Sequence, residues 1–296
     1  MSDIIERVIS QTGNFFGVAC NTTELVTEAC RRHDVGPTAA AALGRALTGA
    51  ALLAALLKDH QSVLLKFEGN GPLKKIITEA GYDGWVRGYV ANPHADLPLK
   101  NGTIDVAGGI GEAGFLTVVK NIGENKKYSG TIQLYTSQIG DDLAYYLSQS
   151  EQTPSTIALA IHLESDGTVA ASGGFLIQSL PPADESILTA LEEEIANMEP
   201  LSKLLLEGKE PGDILASLFN NVDHKKIGSR DLSYSCSCSQ EKMAGAIMSL
   251  GEDDIRRLLE KEEGAEVRCE FCRHSYRFGS PELMQLLSKF NQKSTN

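Results

Sequence analysis

The sequence lacks an excess of positive charge. Its 296 residues contain 27 lysines and arginines against 39 aspartates and glutamates, which gives a formal net charge of -12 at pH 7. A surface that binds a phosphate backbone is expected to carry basic patches, and none dominates here. We therefore expect no nucleic-acid partner.

The start of the chain lacks the features of an export signal. Residues 1–7 include neither a basic region nor an apolar stretch. The longest run of small and apolar residues spans 39–57, and its nineteen residues could just cross a bilayer. Arg45, Thr48 and two glycines lower its hydropathy, and Pro37 suits the first turn of a helix. We favour a buried core helix over a membrane span, and hence a soluble cytoplasmic protein with no membrane partner.

Cysteine is scarce and unevenly distributed. Two of the six cysteines, Cys20 and Cys30, stand alone, and the other four lie within 236–272. A cytoplasmic chain rarely carries a disulfide framework, so metal or redox chemistry is the better expectation. The sequence leaves the roles of Cys20 and Cys30 open.

Residues 1–180 alternate short β-rich runs with turn signals. The runs lie at 62–67, 85–90, 115–119 and 131–135, and Gly-Asn-Gly-Pro at 69–72 is one of the turns between them. Asn21 followed by Glu24 is typical of a capping box for a helix over 22–32. Strands that follow one another with few helices between them favour an α+β domain over a doubly wound sheet.

Pro181-Pro182 marks a boundary, and the chain beyond it is acidic. Apolar residues at 187, 188, 191 and 195 form one face of a helix, which Pro200 ends, and Pro211 opens another helix. We interpret 181–230 as a helical linker. Its narrow apolar stripe fits either a solvated linker or a region that folds only while docked and could melt.

Four cysteines form two close pairs, Cys236-Ser237-Cys238 and, after thirty intervening residues, Cys269-Glu270-Phe271-Cys272. Zinc prefers four ligands in a tetrahedron and accepts thiolates at ~2.3 Å. Two pairs that each span one edge of the tetrahedron are a natural way to build such a site. We predict all four cysteines as zinc ligands, and His274 is the alternative fourth ligand. A helix over 249–263 would return the second pair to the first.

Such a site is a candidate redox sensor. Four thiolates and one Zn²⁺ leave a net charge of about −2, and electron-rich sulfurs are targets for peroxide or hypochlorous acid. Sulfurs joined in a disulfide no longer donate as thiolates, so the metal leaves. A structural zinc site contributes ~10–16 kcal/mol of apparent folding free energy. Oxidation of the four cysteines can therefore unfold the segment that the zinc site stabilises.

No catalytic constellation stands out, and we expect no enzyme. Residues 109–114 match the glycine pattern of a dinucleotide-binding loop, but such a loop should open a helix, and 115–119 are β-rich. We therefore favour a β-turn and expect no bound nucleotide. The other histidines form no motif with serine or aspartate.

Longer motifs give the chain a specific resemblance. They are Arg31-Arg32-His33, Pro37-Thr38-Ala39, Ala42-Leu43-Gly44-Arg45, 67–72 (FEGNGP), 86–93 (VRGYVANP), 140–147 (GDDLAYYL), 150–155 (SEQTPS) and 171–175 (ASGGF). With the C-x-C and C-x-x-C spacing, the chain resembles the heat shock protein 33 family of redox-regulated bacterial chaperones over essentially its whole length.

The resemblance implies a chaperone core over 1–180, a redox-sensitive linker over 181–230 and a zinc-binding redox-switch domain over 231–296. The reduced, zinc-loaded monomer would be inactive. Oxidation would pair Cys269 with Cys272 and Cys236 with Cys238, release zinc, unfold the linker and allow dimers to form. The dimer would hold unfolding clients without ATP during oxidative stress and hand them to other chaperones.

Two other functions are compatible with the cysteine pattern. The zinc lobe could be a static ribbon that binds RNA or another protein, although the acidity of the chain argues against RNA. Alternatively, Cys269 and Cys272 could form a thiol–disulfide oxidoreductase, but such a motif normally starts a helix after a strand. The sequence does not identify the oxidant, the clients or the residues that bind them.

Overall fold

The structure is a computed structural model that describes residues 2–123, 126–182, 184–261 and 264–293. The chain divides into two compact units, Met1–Ser235 and Cys236–Asn296. The elements of the first unit are β1 (Ile4–Ser10), β2 (Phe15–Asn21), α1 (Thr23–His33), α2 (Pro37–Ala54), β3 (Ser62–Gly69), β4 (Lys75–Gly81), β5 (Trp85–Val90), α3 (Val106–Ile110), β6 (Gly114–Asn121), β7 (Lys127–Gln133), α4 (Ile139–Glu151), β8 (Ser155–Leu163), β9 (Val169–Ser179), α5 (Glu185–Asn197), α6 (Leu201–Leu206), α7 (Pro211–Leu218), β10 (His224–Asp231) and β11 (Ser233–Tyr234). Those of the second are α8 (Gln240–Met248), α9 (Glu252–Lys261), β12 (Gly264–Arg268), β13 (Ser275–Gly279) and α10 (Ser280–Lys293).

The first unit contains two sheets, which confirms the α+β prediction. One has the strand order β10-β1-β2-β9-β8 and the other β11-β5-β4-β3-β6-β7. Neighbouring strands are antiparallel except β11, which runs parallel to β5. Strands β4 and β5 alternate buried and half-buried side chains, and β9 carries a long buried run, as expected for sheets packed on an apolar core.

The apolar run that begins at Pro37 forms α2, which packs against strands of both sheets. Every residue of α2 except Pro37 and Arg45 is buried. A Cβ atom at Gly44 would lie 2.6 Å from Ile161 Cδ1, so the absent side chain lets the neighbouring strand approach closely. The predicted core helix is therefore confirmed. In the described part of the chain, no helix is both long and apolar enough to cross a membrane.

The N-terminus of α1 is held by a residue of another element. Asp3 is buried, and its carboxylate accepts hydrogen bonds from the backbone N–H of Glu24 (3.0 Å) and Leu25 (2.6 Å). The capping box predicted from Asn21 and Glu24 is wrong, because Asn21 Oδ1 accepts from the N–H and hydroxyl of Thr23 instead. Burial raises the pKa of Asp3 from 3.8 to about 6, against the opposing effect of its backbone hydrogen bonds.

The outer face of the five-stranded sheet is covered by α5, α6 and α7. The strands contribute Val8, Phe15, Ala19, Ala160, Ala171, Phe175 and Ile177 to this apolar cluster, and the helical segment contributes Leu191, Leu201, Leu205, Ile214, Leu215, Leu218, Phe219 and Val222. The helix that ends before Pro200 and the helix that begins at Pro211 were predicted and correspond to α5 and α7. The short helix α6 between them was not predicted. The last part of the interval predicted as linker, 224–230, lies in strand β10.

The second unit is small. Strands β12 and β13 form a hairpin, and the helices pack around a core of Ile247, Ile255, Phe278, Leu283, Leu286 and Leu287. The helix predicted over 249–263 begins at Glu252, and residues 262 and 263 lie outside the described residues. Because so few large side chains are buried, we expect this unit to need a further source of stability.

Candidate metal centre

The first pair of cysteines lies on the extended segment that precedes α8. The Ser239 side chain caps this helix by accepting a hydrogen bond from the Lys242 N–H. Lys242 also donates through Nζ to the carbonyl oxygen of Ser237 at 2.6 Å. The start of α8 therefore fixes the backbone between Cys236 and Cys238.

The second pair lies in the turn of the β12–β13 hairpin. The Cys269 N–H donates to the His274 carbonyl (2.9 Å), and the Arg273 N–H donates to the Cys269 carbonyl (2.8 Å). Arg273 has a φ of 62°, a left-handed conformation that lets the chain turn back after Cys272. The Phe271 and Cys272 N–H groups donate to the Cys269 sulfur. Antiparallel pairing therefore folds this C-x-x-C motif into a tight turn with its N–H groups directed at sulfur.

The structure brings the four predicted cysteines together. Their Sγ atoms all lie within 4.8 Å of one another. Cys236 Sγ is 3.8 Å from Cys269 Sγ, and Cys238 Sγ is 3.3 Å from Cys272 Sγ. Four sulfurs at ~2.3 Å from a central Zn²⁺ are about 3.8 Å apart, so this donor set fits the ion. His274 is not in the cluster; its ring packs edge-on against Tyr276 at 4.7 Å.

Three thiols of the cluster, those of Cys238, Cys269 and Cys272, have pKa values shifted by their surroundings. For Cys238, burial disfavours the thiolate, but hydrogen bonds from Tyr276 and the neighbouring thiols outweigh it and lower the pKa to about 7. Burial raises the pKa of Cys269, and it raises that of Cys272 to about 12. Cys238 therefore deprotonates more readily than Cys269 or Cys272.

Tyr276 is a site residue that the sequence analysis missed. Its hydroxyl donates to Cys238 Sγ at 3.0 Å. This hydrogen bond is the main reason that the pKa of Tyr276 rises to about 12, so the phenol keeps its proton near neutral pH. The only signal in the sequence is its position four residues after Cys272, which gives no indication that it contacts sulfur.

Access to the four sulfurs is uneven. Cys269 and Cys272 are buried, with exposed fractions of 5% and 8%, whereas Cys236 and Cys238 are partly exposed. A small oxidant can therefore reach the C-x-C side of the cluster first. The same side contains Cys238, whose lowered pKa raises its thiolate fraction when no metal is bound.

The two remaining cysteines lie in the first unit and are not part of this cluster. Cys20 is fully buried in the core and Cys30 is half-buried. Burial raises the pKa of both thiols, that of Cys30 to about 12, and so favours the unreactive protonated form. The glycine-rich segment 109–114 leads from α3 into β6, as expected for a turn rather than a dinucleotide loop.

These features define a class: an α+β protein with a four-cysteine cluster in a small C-terminal unit. The family model of the Hsp33 protein matches residues 3–279. A 33 kDa chaperonin from Desulfotalea psychrophila is 57% identical over 289 residues, 98% of each chain, and one from Geobacter sulfurreducens is 48% identical over 97% of this chain and 95% of its own. The crystal structure of the Thermotoga maritima 33 kDa chaperonin matches with a TM-score of 0.89 at 33% identity, covering 99% of this chain and 100% of its own.

The chain belongs to the Hsp33 family of chaperones. The match includes both the two-sheet unit and the hairpin that carries Cys269 and Cys272. The resemblance inferred from the sequence motifs is thereby confirmed.

Proposed function

We propose that this protein is an ATP-independent holdase of the cytoplasm that binds unfolding proteins during oxidative stress. In the reduced state it holds one Zn²⁺ through Cys236, Cys238, Cys269 and Cys272 and is inactive. The observation that carries the proposal is the cluster of four sulfurs within 4.8 Å in a unit with a very small apolar core. Such a unit depends on its metal for its fold.

The proposed switch is a two-electron oxidation of each cysteine pair. A thiolate sulfur attacks hydrogen peroxide, the O–O bond breaks, and the sulfur becomes a sulfenic acid as hydroxide leaves. The second thiolate attacks that sulfur, forms the S–S bond and expels a second hydroxide. Two protons from solvent complete two waters. Two such reactions consume two peroxides and four thiolates, and leave no thiolate donor for Zn²⁺.

We propose Cys236–Cys238 and Cys269–Cys272 as the disulfides, as the family resemblance implies. The cluster is also compact enough for Cys236–Cys269 and Cys238–Cys272, whose sulfurs lie 3.8 and 3.3 Å apart. The two outcomes differ physically. Disulfides within each motif leave α8, α9 and the hairpin free to separate, whereas disulfides between motifs would hold them together.

The linker is the element that we propose to melt when the second unit unfolds. Helices of 6 to 13 residues, such as α5, α6 and α7, are marginal in water unless they pack on a surface. Here they pack on the five-stranded sheet through one apolar face. Melting of this segment would uncover Phe15, Phe175 and Ile177, and we propose this sheet face as a client-binding surface.

A close approach between linker and sheet supports docking at a defined position. The Phe219 ring lies directly over Gly17 of β2, where an added Cβ would be 2.7 Å from Phe219 Cε2. Phe219 itself is fully buried. The glycine therefore forms a notch in the sheet that receives an aromatic side chain, and the docked linker has one preferred position.

The partners follow from this mechanism. Clients are unfolding proteins that are recognised by exposed apolar segments, and the oxidised chaperone would dimerise and then pass its clients to other chaperones. The reduced protein would be a monomer.

The C-x-x-C motif lies in a hairpin turn rather than at the start of a helix, which disfavours a thiol–disulfide oxidoreductase.

The test is to oxidise the full chain with peroxide under mild heat and measure four quantities on the same sample. We expect bound zinc to fall from one to none as four thiols disappear, peptide mapping to identify the two disulfides, and aggregation of a heat-unfolded reporter enzyme to be suppressed only afterwards. Retention of zinc under oxidant would support the static ribbon. Zinc loss without improved protection would refute the holdase, and turnover in insulin reduction would support the oxidoreductase.

A further inference from the structure

Strand β10 covers the edge of β1 almost entirely through its backbone. The two strands pair antiparallel from Ile4 opposite Asp231 to Ser10 opposite His224. No residue of β10 is buried, and Ile227 is 41% exposed. The backbone ladder is therefore the main contact of this strand, and such a ladder is nearly independent of sequence.

A few surface contacts and one irregularity complete the pairing. Lys226 Nζ lies 2.6 Å from Glu6 Oε1, and the Arg230 guanidinium lies over the Tyr82 ring at 3.4 Å. The register shifts by one residue between Arg7 and Val8, so that Ile227 forms a bulge. A bulged edge strand that buries no side chain is displaced easily.

In contrast, β1 is held by contacts that do not involve the linker. It pairs antiparallel with β2 from Ile5 opposite Cys20 to Ile9 opposite Phe16, and Ile5 belongs to the core that includes α2. Strand β1 therefore keeps its place in the sheet when β10 leaves, and it then presents a row of unpaired N–H and C=O groups.

We propose that the edge of β1 is a binding site for an extended segment of an unfolding client, which pairs with β1 in the place of β10. The inference rests on the proposed function, because most of β10 lies within the linker interval 181–230. The client residue opposite Val8 would occupy the position of Lys226 on the face that α7 leaves. An apolar residue there would gain contact with the uncovered sheet, so extended segments of alternating polarity are favoured.

The edge of β1 is covered by a strand of the linker interval, whereas the other sheet edges are not. Strands β8 and β7 are end strands, and in the described chain no linker strand lies beside either of them. The edge of β5 is covered by β11, whose residues Ser233–Tyr234 follow the linker interval 181–230. The pairing at the edge of β1 is therefore the one that release of the linker would change directly.

The test uses the oxidised, zinc-free full chain and reduced, carboxymethylated α-lactalbumin, a permanently unfolded polypeptide. Hydrogen exchange is measured for the amides of β1 and β10. Oxidation should release β10, and the unfolded polypeptide should then slow exchange in β1 by about tenfold or more. A peptide of sequence 223–232 in excess should displace the polypeptide from the chaperone and weaken aggregation suppression, while β1 stays protected by its pairing with the peptide. The same peptide with alternate backbone nitrogens methylated should do neither, because it cannot donate to the ladder.

Each outcome decides between the two proposals. If β10 stays protected after oxidation, or if the polypeptide binds without slowing exchange in β1, the edge site is refuted even though the holdase stands. If the oxidised protein neither loses zinc nor suppresses aggregation, the proposed function itself fails. Protection of β1 by the polypeptide, together with displacement of the polypeptide by the unmodified peptide and not by the methylated one, supports the edge site.

Discussion

Truncation of Leu215 to alanine should activate the chaperone without an oxidant. Leu215 lies in α7, is fully buried and belongs to the cluster between the linker and the sheet. The matched control is Leu206→Ala in α6, because Leu206 is 46% exposed and lies outside that cluster. Both variants remove the same atoms from the same segment, so burial is the main difference between them.

The expected magnitude follows from burial. Replacement of a buried leucine by alanine costs about 2–5 kcal/mol, whereas a surface substitution changes stability by about 0.5 kcal/mol or less. Since 1.4 kcal/mol corresponds to a factor of ten, Leu215→Ala should raise the ratio of undocked to docked linker roughly 30-fold to several thousand-fold. A segment docked by only a few kcal/mol would then be open in a large fraction of molecules.

The assay compares the two variants and the parent chain under reducing conditions with zinc. We expect Leu215→Ala to bind one zinc, to exchange amide hydrogens rapidly in α5, α6 and α7, and to suppress aggregation of a heat-unfolded reporter. Leu206→Ala should behave like the parent. If hydrogen exchange shows that the linker has opened and the reduced Leu215→Ala variant still gives no protection, docking of the linker is not what keeps the chaperone inactive.

Three further predictions concern the zinc site and the core. Cys269→Ser should lower zinc content and remove hydrogen-exchange protection from the second unit, whereas Cys30→Ser should do neither; a folded, fully loaded Cys269→Ser protein would refute the ligand assignment. Tyr276→Phe should lose thiols to peroxide several-fold faster than Tyr128→Phe, because a zinc-bound sulfur without its hydrogen bond is more nucleophilic; an equal rate would contradict this. Since the pKa of Asp3 is about 6, the folded protein binds more protons than the unfolded chain between about pH 4 and 6. In urea unfolding, the stability of the parent relative to Asp3→Asn should therefore be greatest near pH 4 and fall by up to roughly 3 kcal/mol as pH rises through 6; an unchanged or rising difference would contradict the assignment.

Local patterns account for what could be predicted. The spacing of Cys236, Cys238, Cys269 and Cys272 indicated one four-sulfur cluster, because paired ligands on short loops suit a tetrahedral ion. The apolar residues at 187, 188, 191 and 195 indicated a one-faced helix, since that periodicity is a property of the segment itself.

Contacts between distant segments could not be predicted in the same way. The pattern of Asn21 and Glu24 is a genuine local signal for a capping box, but the buried carboxylate of Asp3 occupies the helix start instead. Residues 224–230 were predicted as part of the helical linker 181–230, whereas they lie in strand β10 and bury no side chain. Their strand conformation comes from hydrogen bonds to β1, which their own sequence does not encode.

By itself, the sequence indicated the chemistry of the proposed switch: four sulfurs that can hold a metal, and an acidic segment whose narrow apolar stripe fits helices that fold only while docked. The tertiary structure decided which surfaces the linker helices and β10 cover. Only the fold places α7 on the five-stranded sheet and β10 on the edge of β1, because both contacts join residues roughly 200 positions apart in the chain.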